Sequence, residues 1–443
     1  MTTRIASAIS GLLAAVLASP LAAQNVLTFP APAQEGSVVI HNVTVHTIVG
    51  EPIALGRVRF VDGRIEAVGG SEVSTEGAES IDGDGLHLYP GFISAHTTLG
   101  LVEVGAVRAT VDLAETGAIN PNIRAEVGIN PDSELIPVAR AGGVLSALVV
   151  PQAGQHGVIA GTSALVQLDG WTWDDMSLRA PVAMHLYWPS VRLPPWLPDA
   201  VRRQAEEAAR AKHKALEKAI LDARAYAGAA DAGALAAIDL RWEAMRPVLA
   251  GDVPLFVHAD DIADILAVLD FARREALRMV LVGGQDAGRV VERLREQGVA
   301  VIVNGTHWLP RRRGDAVQTP FELLSVLHRA GVPFALASSG RDSTNERNLP
   351  FDAATAVAYG LPREEALKAI TLYPAQLLGV GDRLGSLEPG KDATFMLVEG
   401  DPLEIRSSVV AAWIGGRQID LANRHGRLYE KYLEKQRQLG VGE

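Results

Sequence analysis

Eight short apolar runs recur along the chain, and several of them are followed by a helical stretch. The runs read "HLYPGFISAH", "GGVLSALVVPQ", "VIAGTSALVQL", "APVAMHLYWP", "VPLFVHAD", "RMVLVGG", "VAVIVNGTH" and "VPFALASSG". Continuous apolar strands of this kind are typical of a parallel sheet that is covered on both faces. Eight strand–helix units predict an α/β fold of the (β/α)8 TIM-barrel type. A doubly wound open sheet is the alternative, but no Gly-rich phosphate loop follows the first strand.

The two ends of the chain have a different pattern, with short strands separated by Gly and Asp-Gly turns. We therefore predict a small composite β-domain that is formed from both ends, residues 37–88 and 383–421. The barrel is expected over residues 89–382. An Ala-rich, charged segment at about 198–246 has high helix propensity and predicts a helical insertion over or beside the barrel mouth. Residues 422–443 are expected to form a C-terminal helical tail.

The first residues have the pattern of a signal peptide. Arg4 supplies a positive charge, "ASAISGLLAAVLA" is apolar but short for a bilayer span, and "SPLAAQ" offers small residues for cleavage. We expect a signal peptide at residues 1–23, a leader at 24–36, and a mature protein that is periplasmic or secreted.

Composition limits the chemistry and the partners. The 443-residue chain has no cysteine, so any metal must be held by His, Asp, Glu or a modified lysine. Its formal net charge of -11 argues against nucleic acid or an anionic membrane as the main partner. We expect a small-molecule substrate or ligand and no membrane span. The sequence is compatible with an oligomer and does not determine the oligomeric state.

Four histidines lie at or near the ends of the proposed barrel strands, where TIM barrels carry their reactive groups. They are His96, His185, His258 and His307. Arg341 and Asp342 follow the last strand. Any one of these side chains could be a loop-packing or capping residue, but four histidines at strand ends favour a shared pocket.

Three stretches resemble the amidohydrolase superfamily, in particular its exported, imidazolonepropionase-like branch. "LYPGFISAHTTLGL" resembles the first-strand signature P-G-[LF]-I-D-x-H-x-H. "LPREEALKAITLYPAQLLGV" resembles the helix pair before the closing β-domain, and "GSLEPGKDATFMLVEGDPL" resembles that β-domain. The resemblance implies metal-assisted hydrolysis, in which one or two divalent metals lower the pKa of a bound water.

The chain keeps only part of the metal site that this resemblance implies. That site has two histidines on strand one, a carboxylated lysine or acid on strand four, histidines on strands five and six, and an aspartate on strand eight. His96 and His258 match the histidines of strands one and five, while Thr98 and Ser339 stand at the second histidine and the aspartate. Strand six has no histidine and strand four no lysine. We therefore predict a partial site at His96 and His258, with at most one weakly held divalent metal such as zinc.

Three functional hypotheses follow. The first is an exported hydrolase of non-peptide C–N bonds in a cyclic amide or small amide, with an altered metal site. His96, His258 and His307 are its candidate catalytic residues, and Thr98, His185, Ser339, Arg341 and Asp342 its candidate pocket residues. The alternative is a catalytically silent relative that binds a small molecule or serves as an assembly subunit. A metal-free lyase or isomerase that uses His96 and His258 is the third.

Overall fold

The computed structural model describes residues 29–191, 193, 196–338 and 343–440. The predicted signal peptide lies outside these residues, as do Ser339, Arg341 and Asp342. In the described part of the chain, no helix is long and apolar enough to cross a membrane.

Strands and helices alternate through the middle of the chain. The strands are β1 Val38–Val45, β2 Ile53–Val61, β3 Arg64–Gly69, β4 Glu79–Asp82, β5 His87–Pro90, β6 Phe92–Thr97, β7 Val144–Val149, β8 Ile159–Gln167, β9 Ser177–Tyr187, β10 Leu255–Ala259, β11 Met279–Gly283, β12 Val301–Asn304, β13 Phe334–Ala337, β14 Phe395–Glu399, β15 Ser408–Ile414 and β16 Arg417–Gln418. The α-helices are α1 Leu135–Ala141, α2 Trp173–Met176, α3 Asp199–Asp231, α4 Leu240–Leu249, α5 Ile262–Arg274, α6 Val291–Glu296, α7 Thr319–Ala330, α8 Leu349–Ala358, α9 Arg363–Ala369, α10 Leu372–Leu377 and α11 Arg424–Gln438.

The two ends of the chain form one sheet, as predicted. Its strand order is β16-β15-β14-β5-β1-β2-β3, with β4 paired to β1. The junction is the antiparallel pair of β14 and β5, in which Leu397 lies opposite Leu88. Phe60 from the N-terminal part packs edge-on against Phe395 from the C-terminal part, with ring centroids 5.2 Å apart. The two parts therefore share one apolar core.

The eight apolar runs form the eight strands of the barrel, in the order β6 to β13, so the predicted barrel is confirmed. One strand departs from the expected parallel arrangement, because β8 pairs antiparallel with both β7 and β9. The connection from β7 to β8, residues 150–158, contains no helix. A parallel return needs a crossover of about a dozen residues or more, usually a helix. This short connection therefore reverses the direction of β8.

An apolar cluster to which every barrel strand contributes fills the interior. One member from each strand is Ile93, Leu148, Leu165, Ala183, Phe256, Val280, Ile302 and Ala335. All eight are buried. On the parallel strands, side chains two residues further along point to the same face and lie one layer nearer the barrel mouth.

The predicted helical insertion forms α3 and α4. Lys212 on α3 donates a hydrogen bond to the carbonyl oxygen of Gln155, 2.8 Å away, in the connection that follows β7. This contact ties α3 to the mouth of the barrel, where the candidate site lies.

Glu346 bridges the two ends of the barrel sheet. In the described residues no ladder of backbone hydrogen bonds joins β13 to β6, although the two strands are in contact. Glu346 is buried, and its Oε1 accepts a 2.6 Å hydrogen bond from Ser338, directly after β13. The hydroxyls of Ser94 and Thr97 on β6 lie close enough to lower the pKa of the same carboxyl. Burial raises the pKa of Glu346 above its ordinary 4.5, and the three hydroxyls only partly offset this effect. The Glu346 carboxyl therefore lies between β6 and the end of β13 with a raised pKa.

We expect Glu346→Gln to change how stability depends on pH. Because the folded-state pKa of Glu346 is raised, its contribution is fully present below the unfolded pKa and is lost as pH rises through the folded pKa. Glutamine carries no ionisable proton, so the free-energy advantage of the wild type over the variant should shrink as pH rises from about 4.5. Urea unfolding of both proteins between pH 4.5 and 8 measures this difference.

Glu207→Gln, on an exposed position of α3, is the matched control and should show no such trend. If the difference in unfolding free energy between the wild type and Glu346→Gln stays constant across this pH range, the raised pKa of Glu346 is contradicted.

Candidate active site

A cavity of about 340 Å³ opens at the carboxyl ends of the barrel strands. Residues from β6, β9, β10, β11 and β12, and from the loops that follow them, line it. Among them are His96, Tyr187, Trp188, His258, Asn304 and Trp308. This is the end of a TIM barrel where active sites are built.

His96 reaches the cavity because β6 is irregular near its end. The pairing of β6 with β7 shifts register between Ser94 and Thr97. Ile93 and Ala95 belong to the interior cluster, and after the shift His96 faces the interior as well. Both ring nitrogens of His96 are buried, and no described residue forms a hydrogen bond with them. A buried imidazole of this kind has one donor and one acceptor to offer to a bound molecule.

His185 and His258 share a hydrogen bond behind the cavity wall. His185 Nδ1 lies 2.9 Å from His258 Nε2. The two residues lie on the neighbouring parallel strands β9 and β10, where His185 is paired with Phe256 and His258 with Tyr187. Each histidine follows a residue of the interior cluster by two positions along its strand. His185 is fully buried, while His258 is partly exposed and lines the cavity. The His96 and His258 ring centroids are 5.2 Å apart. The three histidines therefore form one group.

Burial keeps all three imidazoles neutral. It lowers the pKa of His96 from 6.5 to about 4. Burial, and then the proximity of His96, lowers the pKa of His185 well below 6.5. The pKa of His258 is lowered in the same way by burial and then by both neighbouring histidines. A neutral imidazole keeps one nitrogen lone pair that can accept a proton.

Tyr187 supports His258 and was missed from the sequence. Its ring stacks on the His258 ring, with centroids 3.9 Å apart and planes 7° from parallel. Its hydroxyl donates a 3.0 Å hydrogen bond to the Pro151 carbonyl oxygen, and burial raises the pKa of the phenol. The sequence signal that could have identified Tyr187 is its position at the end of a strand, two residues after His185.

Gly283 ends β11, the sixth barrel strand, in a backbone conformation that disfavours a larger side chain. Its backbone has a φ of +92°, which side chains rarely adopt. A Cβ at this position would lie 2.5 Å from Oδ1 of Asp260, which lines the cavity after β10. A larger residue at position 283 would therefore displace Asp260.

The structure separates His307 from the other three histidines. The His307 side chain is 54% exposed, and its Nε2 lies 2.7 Å from the Thr355 hydroxyl on α8. Thr98 is buried at the strand end but is not among the residues that line the cavity. The remaining predicted pocket residues, Ser339, Arg341 and Asp342, lie outside the described part of the chain.

The described residues provide no group of three or more His, Asp or Glu side chains arranged to hold a metal ion. The site offers three imidazoles, and one nitrogen of His258 is engaged by His185. Both ring nitrogens of His96 and Nε2 of His185 are buried and have no hydrogen-bond partner among the described residues.

Comparison with known proteins places this geometry in a family context. Residues 256–423 match the model of the amidohydrolase family. Amidohydrolase tasK of Hapsidospora irregularis is 24% identical over 403 residues, which are 82% of this chain and 39% of that protein. Imidazolonepropionase of Erwinia tasmaniensis is 31% identical over 166 residues, which are 37% of this chain and 38% of that enzyme. The chain thus spans well under half the length of these relatives.

A solved structure matches over nearly the whole described chain. The crystal structure of an amidohydrolase from Thermotoga maritima superposes with a TM-score of 0.77 and 26% sequence identity. The match covers 86% of this chain and 99% of that one. The eight-stranded barrel, the composite β-domain, the site at the barrel mouth and these similarities lead to one conclusion. The chain belongs to the amidohydrolase superfamily.

Proposed function

We propose that this protein hydrolyses a non-peptide C–N bond in a small amide or cyclic amide, and that His258 activates the water. The observation that carries the proposal is the neutral histidine group at the barrel mouth, in which His185 is bonded to His258. The relatives named amidohydrolase and imidazolonepropionase support the reaction class. The cavity volume of about 340 Å³ favours a small substrate, because it lies at the lower end of the range for ligand pockets.

The hydrogen bond between the two histidines decides which nitrogen acts as the base. When His258 Nε2–H donates to His185 Nδ1, the lone pair of His258 lies on Nδ1. In this tautomer, Nδ1 takes a proton from a water molecule as the water oxygen attacks the carbonyl carbon. The resulting imidazolium keeps its hydrogen bond to His185, which stabilises it. The proton then passes to the leaving nitrogen as the C–N bond breaks.

His96 supplies a donor on the same side of the cavity. Neither of its ring nitrogens is used by the protein, so its N–H can donate to the carbonyl oxygen. Negative charge develops on that oxygen during attack, and a fixed donor in a buried site stabilises it.

The donor set does not fit the binuclear metal centre that is implied by the superfamily. The second histidine of strand one is Thr98, and Gly283 excludes a histidine at the end of strand six without movement of Asp260. The proposed reaction therefore uses only the side chains of this protein. We also propose that the protein is exported by means of its N-terminal segment, residues 1–23.

We expect His258→Asn to lower kcat by about 10²- to 10⁴-fold while KM changes little, because a positioned base contributes about that factor. The measurement is turnover of a panel of primary amides, lactams, cyclic imides and dipeptide amides by the full chain. His185→Gln should lower kcat by less, since an amide can still accept the His258 N–H.

His41→Asn on β1, outside the barrel, is the matched control and should leave kcat unchanged. His307→Asn should have little effect, because its side chain faces solvent and Thr355. No turnover of any panel member, or equal activity of wild type and His258→Asn, would contradict the hydrolase proposal.

We expect the protein, purified without chelators or histidine tags, to carry much less than one tightly bound zinc per chain. Thr98→His and Ser339→Asp together should raise the metal content more than either change alone, because ligands to one ion act as a unit. Elemental analysis after dialysis measures this content. Two stoichiometric metals in the unmodified protein would show that an ordinary metal site is present.

A further inference from the structure

Asn304 is the last residue of β12 and lines the same cavity as His96 and His258. It follows Ile302 of the interior cluster by two positions on a parallel strand, so both side chains point to the same face. Through β11, His258 is paired with Val282, and Val282 is paired with Ile302. In this register Asn304 stands two residues nearer the barrel mouth than His258.

The backbone of Asn304 is held on two sides. Trp308 donates its indole N–H to the Asn304 carbonyl oxygen, and Asn304 is paired with Ala337 on β13. The side-chain oxygen Oδ1, in contrast, is buried, and no described residue forms a hydrogen bond with it. Gln285 in the same cavity wall differs, because its Oε1 accepts a 2.6 Å hydrogen bond from Arg311.

The unpartnered oxygen of Asn304 matches a group of the substrate that the proposed reaction leaves without a partner. A buried amide oxygen is unfavourable in the protein alone, since its lost hydrogen bonds to water are not replaced. In the proposed reaction, His96 donates to the carbonyl oxygen of the amide and His258 takes a proton from water. Neither histidine accepts the N–H of the amide. Asn304 Oδ1 is an acceptor in the wall of the same cavity.

We infer that Asn304 Oδ1 accepts a hydrogen bond from the N–H of the scissile amide and thereby selects the substrate class. This inference rests on the proposed function and adds that the substrates are primary or secondary amides, including lactams, whose nitrogen carries a hydrogen. A tertiary amide leaves Oδ1 unpaired and places an alkyl group against it. A site that bonds an N–H rejects the analogue without it more strongly than an apolar pocket rejects one methylene.

The test uses benzamide, N-methylbenzamide and N,N-dimethylbenzamide as substrates of the full chain. The two methyl groups have the same volume, but only the second removes the last N–H. We expect kcat/KM to fall by about 10- to 100-fold more at the second methyl group than at the first, because Oδ1 is then left unpaired. Asn304→Leu, which is similar in size but has no acceptor, should abolish this extra fall.

Two further variants serve as controls for Asn304→Leu. Asn122→Leu, at an exposed position outside the cavity, is the matched control and should retain the extra fall at the second methyl group. Asn304→Asp keeps an acceptor oxygen at the same position and should also retain it. Discrimination that persists in Asn304→Leu would assign it to the volume of the cavity and overturn the role of Asn304. Its loss in Asn304→Asp would overturn that role as well.

A binding measurement separates the role of Asn304 from the proposed function. The His258→Asn variant and the double variant with Asn304→Leu are titrated with the three benzamides by calorimetry. A binding preference for N–H that depends on Asn304, without turnover by the wild type, would support the hydrogen bond and refute the hydrolase. Turnover without discrimination at the second methyl group would refute the role of Asn304 alone. The absence of both binding and turnover would refute both.

Discussion

The chemistry of this site depends on the hydrogen bond between His185 and His258, formed where water is largely excluded. A charged imidazole would be costly there, since burial lowers the pKa of both rings. The two neutral rings are therefore joined by one N–H···N hydrogen bond, and His258 can present its other nitrogen to the cavity. In the proposed reaction, His185 takes the orienting role that carboxylates often have beside catalytic histidines, but it adds no negative charge to the site.

The barrel creates this arrangement through the register of its strands. β9 and β10 are parallel, and their register places His258 beside Tyr187 and two residues nearer the barrel mouth than His185. The irregular end of β6 turns His96 toward them. Glu346 lies between β6 and the segment after β13, where backbone pairing is missing in the described residues, and it accepts a hydrogen bond from Ser338.

The sequence predicted the architecture well, because apolar runs and turn residues report directly on burial. All eight barrel strands and the composite sheet appear where the pattern indicated them. The predicted parallel direction of β8 was wrong, because the connection before it, residues 150–158, contains no crossover helix. The site was predicted less completely. His96, His185 and His258 converge, but the Tyr187 stacking and the Glu346 bridge depend on contacts between distant segments. His307 follows a strand, yet its Nε2 lies within hydrogen-bond distance of Thr355 on α8. A strand-end position alone does not reveal this contact.

The most direct test is nitrogen NMR of the full chain with ¹⁵N-labelled histidine, assigned with His96, His185 and His258 variants. We expect three neutral imidazoles at pH 6, with a hydrogen-bonded proton on His258 Nε2 and a lone pair on His258 Nδ1. The titration of His96 should fall near pH 4. A cationic His258 at pH 6, or ring nitrogens shifted by a bound metal in the purified protein, would contradict it.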